Sequence, residues 1–125
     1  MLRFVLRTKR VNAEVLCASI SVYLMFGLLW AMAYRLVAFL TPTAFTFNST
    51  QVVNQPMEGF TAFYFSFVTL TTVGYGDITP VSSVARMLAV MESMTGTLYV
   101  AVLIARLVAL YSTPDSSPKS DPPPS

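Results

Sequence analysis

Residues 69–80 read TLTTVGYGDITP, a polar stretch holding two glycines between the chain's two longest apolar runs. The chemistry available there belongs to the backbone. Gly74 and Gly76 occupy alternate positions, and glycine adopts left-handed conformations without steric cost, so successive carbonyls are free to lie on the same side. A column of carbonyls with no charged side chain among them suits a dehydrated monovalent cation. Asp77, immediately beyond, adds negative charge at one mouth. Other site chemistry has few candidates. The chain has no histidine and one cysteine, Cys17, which removes most ligands for zinc or haem and the usual general base. Cys17 has no intrachain partner and reads as a small apolar packing residue.

The elements that position this stretch follow from hydropathy. The chain has 125 residues, of which 54% are hydrophobic and 11% charged. Between Val15 and Leu40 the only charge is Arg35, and a second run, Val84 to Tyr111, carries Arg86, Glu92 and Arg106. Both exceed the roughly 20 residues that a spanning helix needs, which predicts spanning helices over 15–40 and 84–111. A secretory leader ending at the AMA of 31–33 is disfavoured, because the apolar stretch is long and Arg35 follows. Arg3, Arg7, Lys9 and Arg10 precede the first run, so both termini are expected in the cytoplasm. The basic segment 1–14 has Arg3, Arg7 and Arg10 on one side of a helical wheel, as an interfacial helix or a plain anchor would. Residues 112–125 are rich in proline and serine and predict a disordered tail.

Residues 41–57 read as a loop containing the glycosylation triplet Asn48-Ser49-Thr50. A short apolar helix is expected over 58–70, with Pro56 and Glu58 at its start. Its length of about 20 Å cannot cross a hydrocarbon core of about 30 Å, so it must dip in and return. The non-helical backbone over 71–77 is then tolerated at membrane depth only if it is buried in protein or lines a water-filled path.

TTVGYGD, residues 71–77, resembles the selectivity-filter signature of potassium channels. Residues 15–111 resemble the outer helix, pore helix, filter and inner helix of the prokaryotic two-helix members. The resemblance implies an all-α membrane protein that assembles as a homotetramer in the plasma membrane. It would conduct K+ passively, catalyse nothing and bind no nucleic acid. The ion ligands would be the carbonyls of Thr72, Val73, Gly74 and Tyr75 with the Thr72 hydroxyl. Gly76 would shape the entrance, Asp77 the outer mouth, and Tyr75 would brace the filter from behind. Gly96 stands where the family has a gating hinge, with close helix packing the competing reading. Thr97, Val100, Ile104, Val108 and Tyr111 recur at helical spacing and would line the cavity and inner gate.

Two departures bear on filter support. Val68 stands where some relatives carry a glutamate bonded behind the filter, and Phe65 where many have a tryptophan reaching the filter tyrosine. Glu92 lies about 140° round the helix from Thr97, away from the cavity stripe. A buried acid in a span needs a partner, expected in the pore or outer helix as a hydroxyl of Thr69 or Thr71; snorkelling to the outer interface is the alternative. Arg106 is expected to snorkel to the inner surface. The chain shows no voltage-sensing arginine helix and no regulatory domain, leaving room for a regulatory domain or the remainder of a longer chain. A potassium-transporter subunit and a non-conducting regulatory pore subunit are the other readings.

Overall fold

The computed structural model describes residues 2–48, 57 and 59–112, with side chains from Ala13 onward. Five elements follow one another: α1 (Leu2–Leu40), β1 (Phe45–Phe47), α2 (Phe60–Leu70), β2 (Ile78–Pro80) and α3 (Ser83–Tyr111). Two apolar stretches, Ala13–Leu40 and Ser83–Tyr111, are long enough to cross a membrane. The 11-residue α2 is not, since it rises only about 16 Å. The protein is thus mostly helical, with two spans flanking a short helix.

Each helix end has a local cause. Backbone 2–14 continues α1 instead of forming a separate element; the basic side chains at 3, 7, 9 and 10 lie outside the described residues. The expected pore-helix start at 58 gives way to Gly59, whose φ of 48° and ψ of −115° are non-helical, so α2 begins at Phe60. At α3 the Ser82 hydroxyl accepts from the Ala85 amide, satisfying one of the orphan N–H groups of the first turn. Within the helices Ser19, Ser21, Thr71, Ser93, Thr95 and Thr97 each donate to the carbonyl four residues earlier. That contact satisfies a hydroxyl inside an apolar helix without a remote partner. Ser49, Thr50 and the tail 113–125 lie outside the described residues.

The all-α expectation needs one amendment. β1 and β2 form an antiparallel ladder pairing Phe45 with Pro80, Thr46 with Thr79 and Phe47 with Ile78. The ladder brings the segment after α1 against the segment after the glycine stretch. Beneath it, Tyr34, Phe45 and Phe65 pack edge to face with ring centroids 4.8–5.9 Å apart. Ala44, Met57, Ala62 and Ala85 complete this buried cluster. Edge-to-face pairs add about 0.5–1.5 kcal/mol each beyond area burial, so the cluster anchors α2 between the spans. Lower down, α2 approaches α1 at Gly27, where any Cβ would run into the Phe67 ring. Most other large apolar side chains of the spans are exposed on the single chain. Such a surface suits lipid or further protein.

Candidate functional site

The last four carbonyls of a helix lack partners within it, and in α2 every one is taken. Phe67 O accepts from the Thr71 amide (3.1 Å) and hydroxyl (2.6 Å). Val68 O accepts from the amides of Val73 (3.0 Å) and Gly74 (3.3 Å). Thr69 O accepts from the Thr72 amide (2.9 Å) and lies 3.2 Å from Ser93 Oγ of α3. Leu70 O accepts from the Tyr23 hydroxyl of α1 at 3.3 Å. The glycine stretch and both spans are therefore fastened to one helix end. Val68, whose apolar side chain offers no hydrogen bond, supports the stretch through its carbonyl.

Above that joint the backbone alternates. Thr72, Gly74 and Gly76 have φ of 59°, 54° and 77°, whereas Val73 and Tyr75 have none of this positive character. Alternation of hand gathers successive N–H groups on one side and so turns carbonyls to the other. Here the amides of Val73 and Gly74 point back onto Val68, and residues 71–76 are all exposed on the single chain. The glycines signalled this geometry in the sequence. Thr72 did not, since a β-branched residue at positive φ is a steric outlier, held here by its amide on Thr69.

At the far end of the stretch Asp77 is fixed from several directions. Tyr64 donates to Oδ2 at 2.9 Å, the Ile78 amide to Oδ1 at 3.0 Å, and the Asn48 amide to the Asp77 carbonyl at 2.7 Å. The hydrogen bond to the Asp77 carboxylate holds the Tyr64 hydroxyl above its usual range. Asn48 also donates from Nδ2 to Gly76 O at 2.8 Å. Sequence reasoning missed both partners: Tyr64 looks like one more aromatic in an apolar run, and Asn48 like a loop residue. Phe65 is turned into the aromatic cluster at 5% exposure, so it supports the core beneath the ladder. Tyr75 is 71% exposed, which leaves its ring for contacts outside its own chain.

Glu92 is fully buried, and its partners correct the expectation of Thr69 or Thr71. Tyr34 of α1 donates to Oε2, and Ser66 of α2 bonds Oε1 at 2.6 Å while also lying 2.7 Å from Gly27 O. The Thr71 hydroxyl instead closes on its own helix. The rotation of α2 that seats Phe67 on Gly27 brings Ser66, not Thr69, to the carboxylate. One acid thereby joins all three helices, and among the described residues no buried side-chain polar atom lacks a partner.

Gly96, the expected hinge, is buried against the end of α2: a Cβ there would meet the Leu70 carbonyl. The clash is with backbone, so a helix must shift. Gly96→Ala should therefore lower the thermal midpoint of the assembled protein, by overpacking worth about 1–3 kcal/mol. A glycine needed only for bending would leave that midpoint unchanged. Further along α3, Tyr99 donates to Ser19 O at 2.6 Å and packs on Tyr23 and Phe26. Thr97, Val100, Ile104, Val108 and Tyr111 are exposed, on a face that α1 and α2 leave uncovered, and Arg106 is exposed too. No group of three His, Cys, Asp or Glu side chains gathers among the described residues, so carbonyls remain the candidate cation ligands.

Comparison with known proteins points the same way. The profile of a family described as "Ion channel" matches residues 15–113. The chain is 42% identical over 74 residues to the voltage-gated potassium channel Kch of Escherichia coli, covering 53% of this chain and 18% of that one. It is 42% identical over 50 residues to the calcium-gated potassium channel TvoK of Thermoplasma volcanium, covering 40% and 14%. Protein LctB of Bacillus caldotenax is 30% identical over 102 residues, covering 81% of this chain and 75% of LctB. The chain thus spans under a fifth of the length of either named channel and three quarters of LctB.

Proposed function

Because this chain belongs to the pore-loop, two-helix potassium channel family, we propose that it forms a homotetrameric pore conducting K+ passively through residues 72–76. The observation that carries this reading is the alternating hand at Thr72, Gly74 and Gly76 with the Val73 and Gly74 amides anchored on the Val68 carbonyl. The carbonyls of Thr72, Val73, Gly74 and Tyr75 then replace the ion's water, with the Thr72 hydroxyl at the inner end and Asp77 raising cation concentration outside. Val68 holds the filter from behind, and Glu92 holds the pore helix that carries it through Ser66. Thr97, Val100, Ile104, Val108 and Tyr111 line the water-filled approach, and Gly96 lets the inner helix lie close to the pore helix and bend. The protein sits in the plasma membrane with both termini in the cytoplasm, following its basic first segment. Voltage or calcium control belongs to the named relatives; this chain's own stimulus is a separate matter.

One chain supplies a quarter of a carbonyl ring, and alone it would face lipid with unpaired backbone. Four-fold assembly in mild detergent is the expected result. Potassium should raise the thermal midpoint, because an ion that binds only the assembled state stabilises it by mass action. Crosslinking that stops at dimers in potassium would overturn the assembly. Recording from the purified chain in planar bilayers with mixed potassium and sodium tests conduction itself.

A further inference from the structure

Asn48 directly follows β1, and it touches the glycine stretch twice. Its backbone amide extends the ladder by donating to Asp77 O at 2.7 Å. Its side chain reaches one residue deeper, where Nδ2 donates to Gly76 O at 2.8 Å. Two consecutive carbonyls at the outer end are therefore held by one residue. Gly76 has little else to hold it: its φ is +77°, and nothing lies within 4 Å of where a Cβ would stand. A left-handed glycine in open space can flip its peptide at small cost, so the amide of Asn48 is what fixes this carbonyl.

We propose that Asn48 is a positioning residue for the outer end of the ion pathway. It draws the Gly76 carbonyl toward the loop and leaves the Tyr75 carbonyls as the outermost competent ring. This rests on the filter reading above and deepens it. A carbonyl already accepting an N–H is a poorer cation ligand than a free one, and four such carbonyls surround the entrance of a tetramer. Asn48 thereby sets how readily a potassium ion enters and leaves on the outside. The contact also gives the asparagine of the Asn48-Ser49-Thr50 triplet a role that needs no glycan.

The chemistry dictates the variants. Asn48→Asp keeps size and ladder contact but puts an acceptor oxygen opposite an acceptor. Asn48→Ala removes the side chain and keeps the backbone amide. Both lose the donor, and only the aspartate adds charge. Single-channel current is measured in planar bilayers as potassium is varied on one side at a time, together with the thermal midpoint of the tetramers. Loss of one hydrogen bond should shift the half-saturating outer potassium concentration in the same direction in both variants, by about three- to tenfold. The inner-side dependence and the thermal midpoint should hardly move. If Asn48→Ala matches wild type while Asn48→Asp shifts, only charge matters and the positioning role is wrong. Equal changes on both sides, tracking a lowered midpoint, would reduce Asn48 to a structural contact. A wild-type chain that assembles yet passes no potassium would overturn the filter reading itself.

Discussion

Alanine at position 76 should abolish potassium-over-sodium selection, or conduction altogether. No atom obstructs a Cβ there, so the expected loss comes from the backbone alone. Gly76 has φ of +77°, and left-handed backbone costs an L-residue about 1–2 kcal/mol. In the proposed tetramer four copies share one entrance, so the combined penalty exceeds the roughly 1.4 kcal/mol that makes a factor of ten. Tyr75→Asp approaches the same point from the side chain. Tyr75 has no positive φ and a ring mostly exposed on its own chain, so aspartate keeps the backbone, removes the ring proposed to brace the filter between copies and adds a charge beside it. Reversal potentials in mixed potassium and sodium check both. If they stay where wild type puts them in both variants, residues 72–76 are not the filter.

Removing the Glu92 carboxylate should be the most damaging single change away from the pathway. Its two oxygens bond Tyr34 and Ser66, all three residues being fully buried, and α3 is tied through them to α1 and α2. Glu92→Ala leaves a cavity and strands the Tyr34 hydroxyl, while Ser66 keeps Gly27 O; the unmade bond costs about 1–3 kcal/mol in each copy of the proposed tetramer. Glu92→Gln should assemble almost normally. Its amide oxygen accepts from Tyr34, and its NH2 donates to Ser66 Oγ while Ser66 donates to Gly27 O. Heating tetramers at matched potassium and following dissociation separates the cases. Alanine should fall well below wild type with glutamine close to it; equal midpoints for all three would mean the network holds nothing together.

The spans and the glycine stretch were legible in the sequence for a shared reason: their signals are local. Hydropathy over some twenty residues reports burial in lipid, and glycine at alternate positions reports backbone freedom. Glu92 was legible halfway. Its place on the wheel turned it toward protein, but naming Ser66 over Thr69 needs the rotation of α2, set by Phe67 against Gly27 far away in sequence. Thr72 hid its left-handed conformation because nothing in threonine favours it. The strands Phe45–Phe47 and Ile78–Pro80 are three residues each, too short to show alternation. With them went Asn48, whose contacts exist only once the ladder sets the register. Glu58 suggested a helix start by its charge, and the conformation of Gly59 overruled it.

The ladder has a consequence for how this protein can be altered. Asn48 is pinned to Asp77 and Gly76 on one side, and Gly59 opens α2 on the other, with Phe63 N bonded to Gly59 O. Between them Met57 is packed into the buried cluster beneath the ladder, a third fixed point. A grafted epitope must therefore leave Asn48, Met57 and Gly59 in place, and length added between the first two costs only loop-closure entropy, about 0.6 kcal/mol for each doubling.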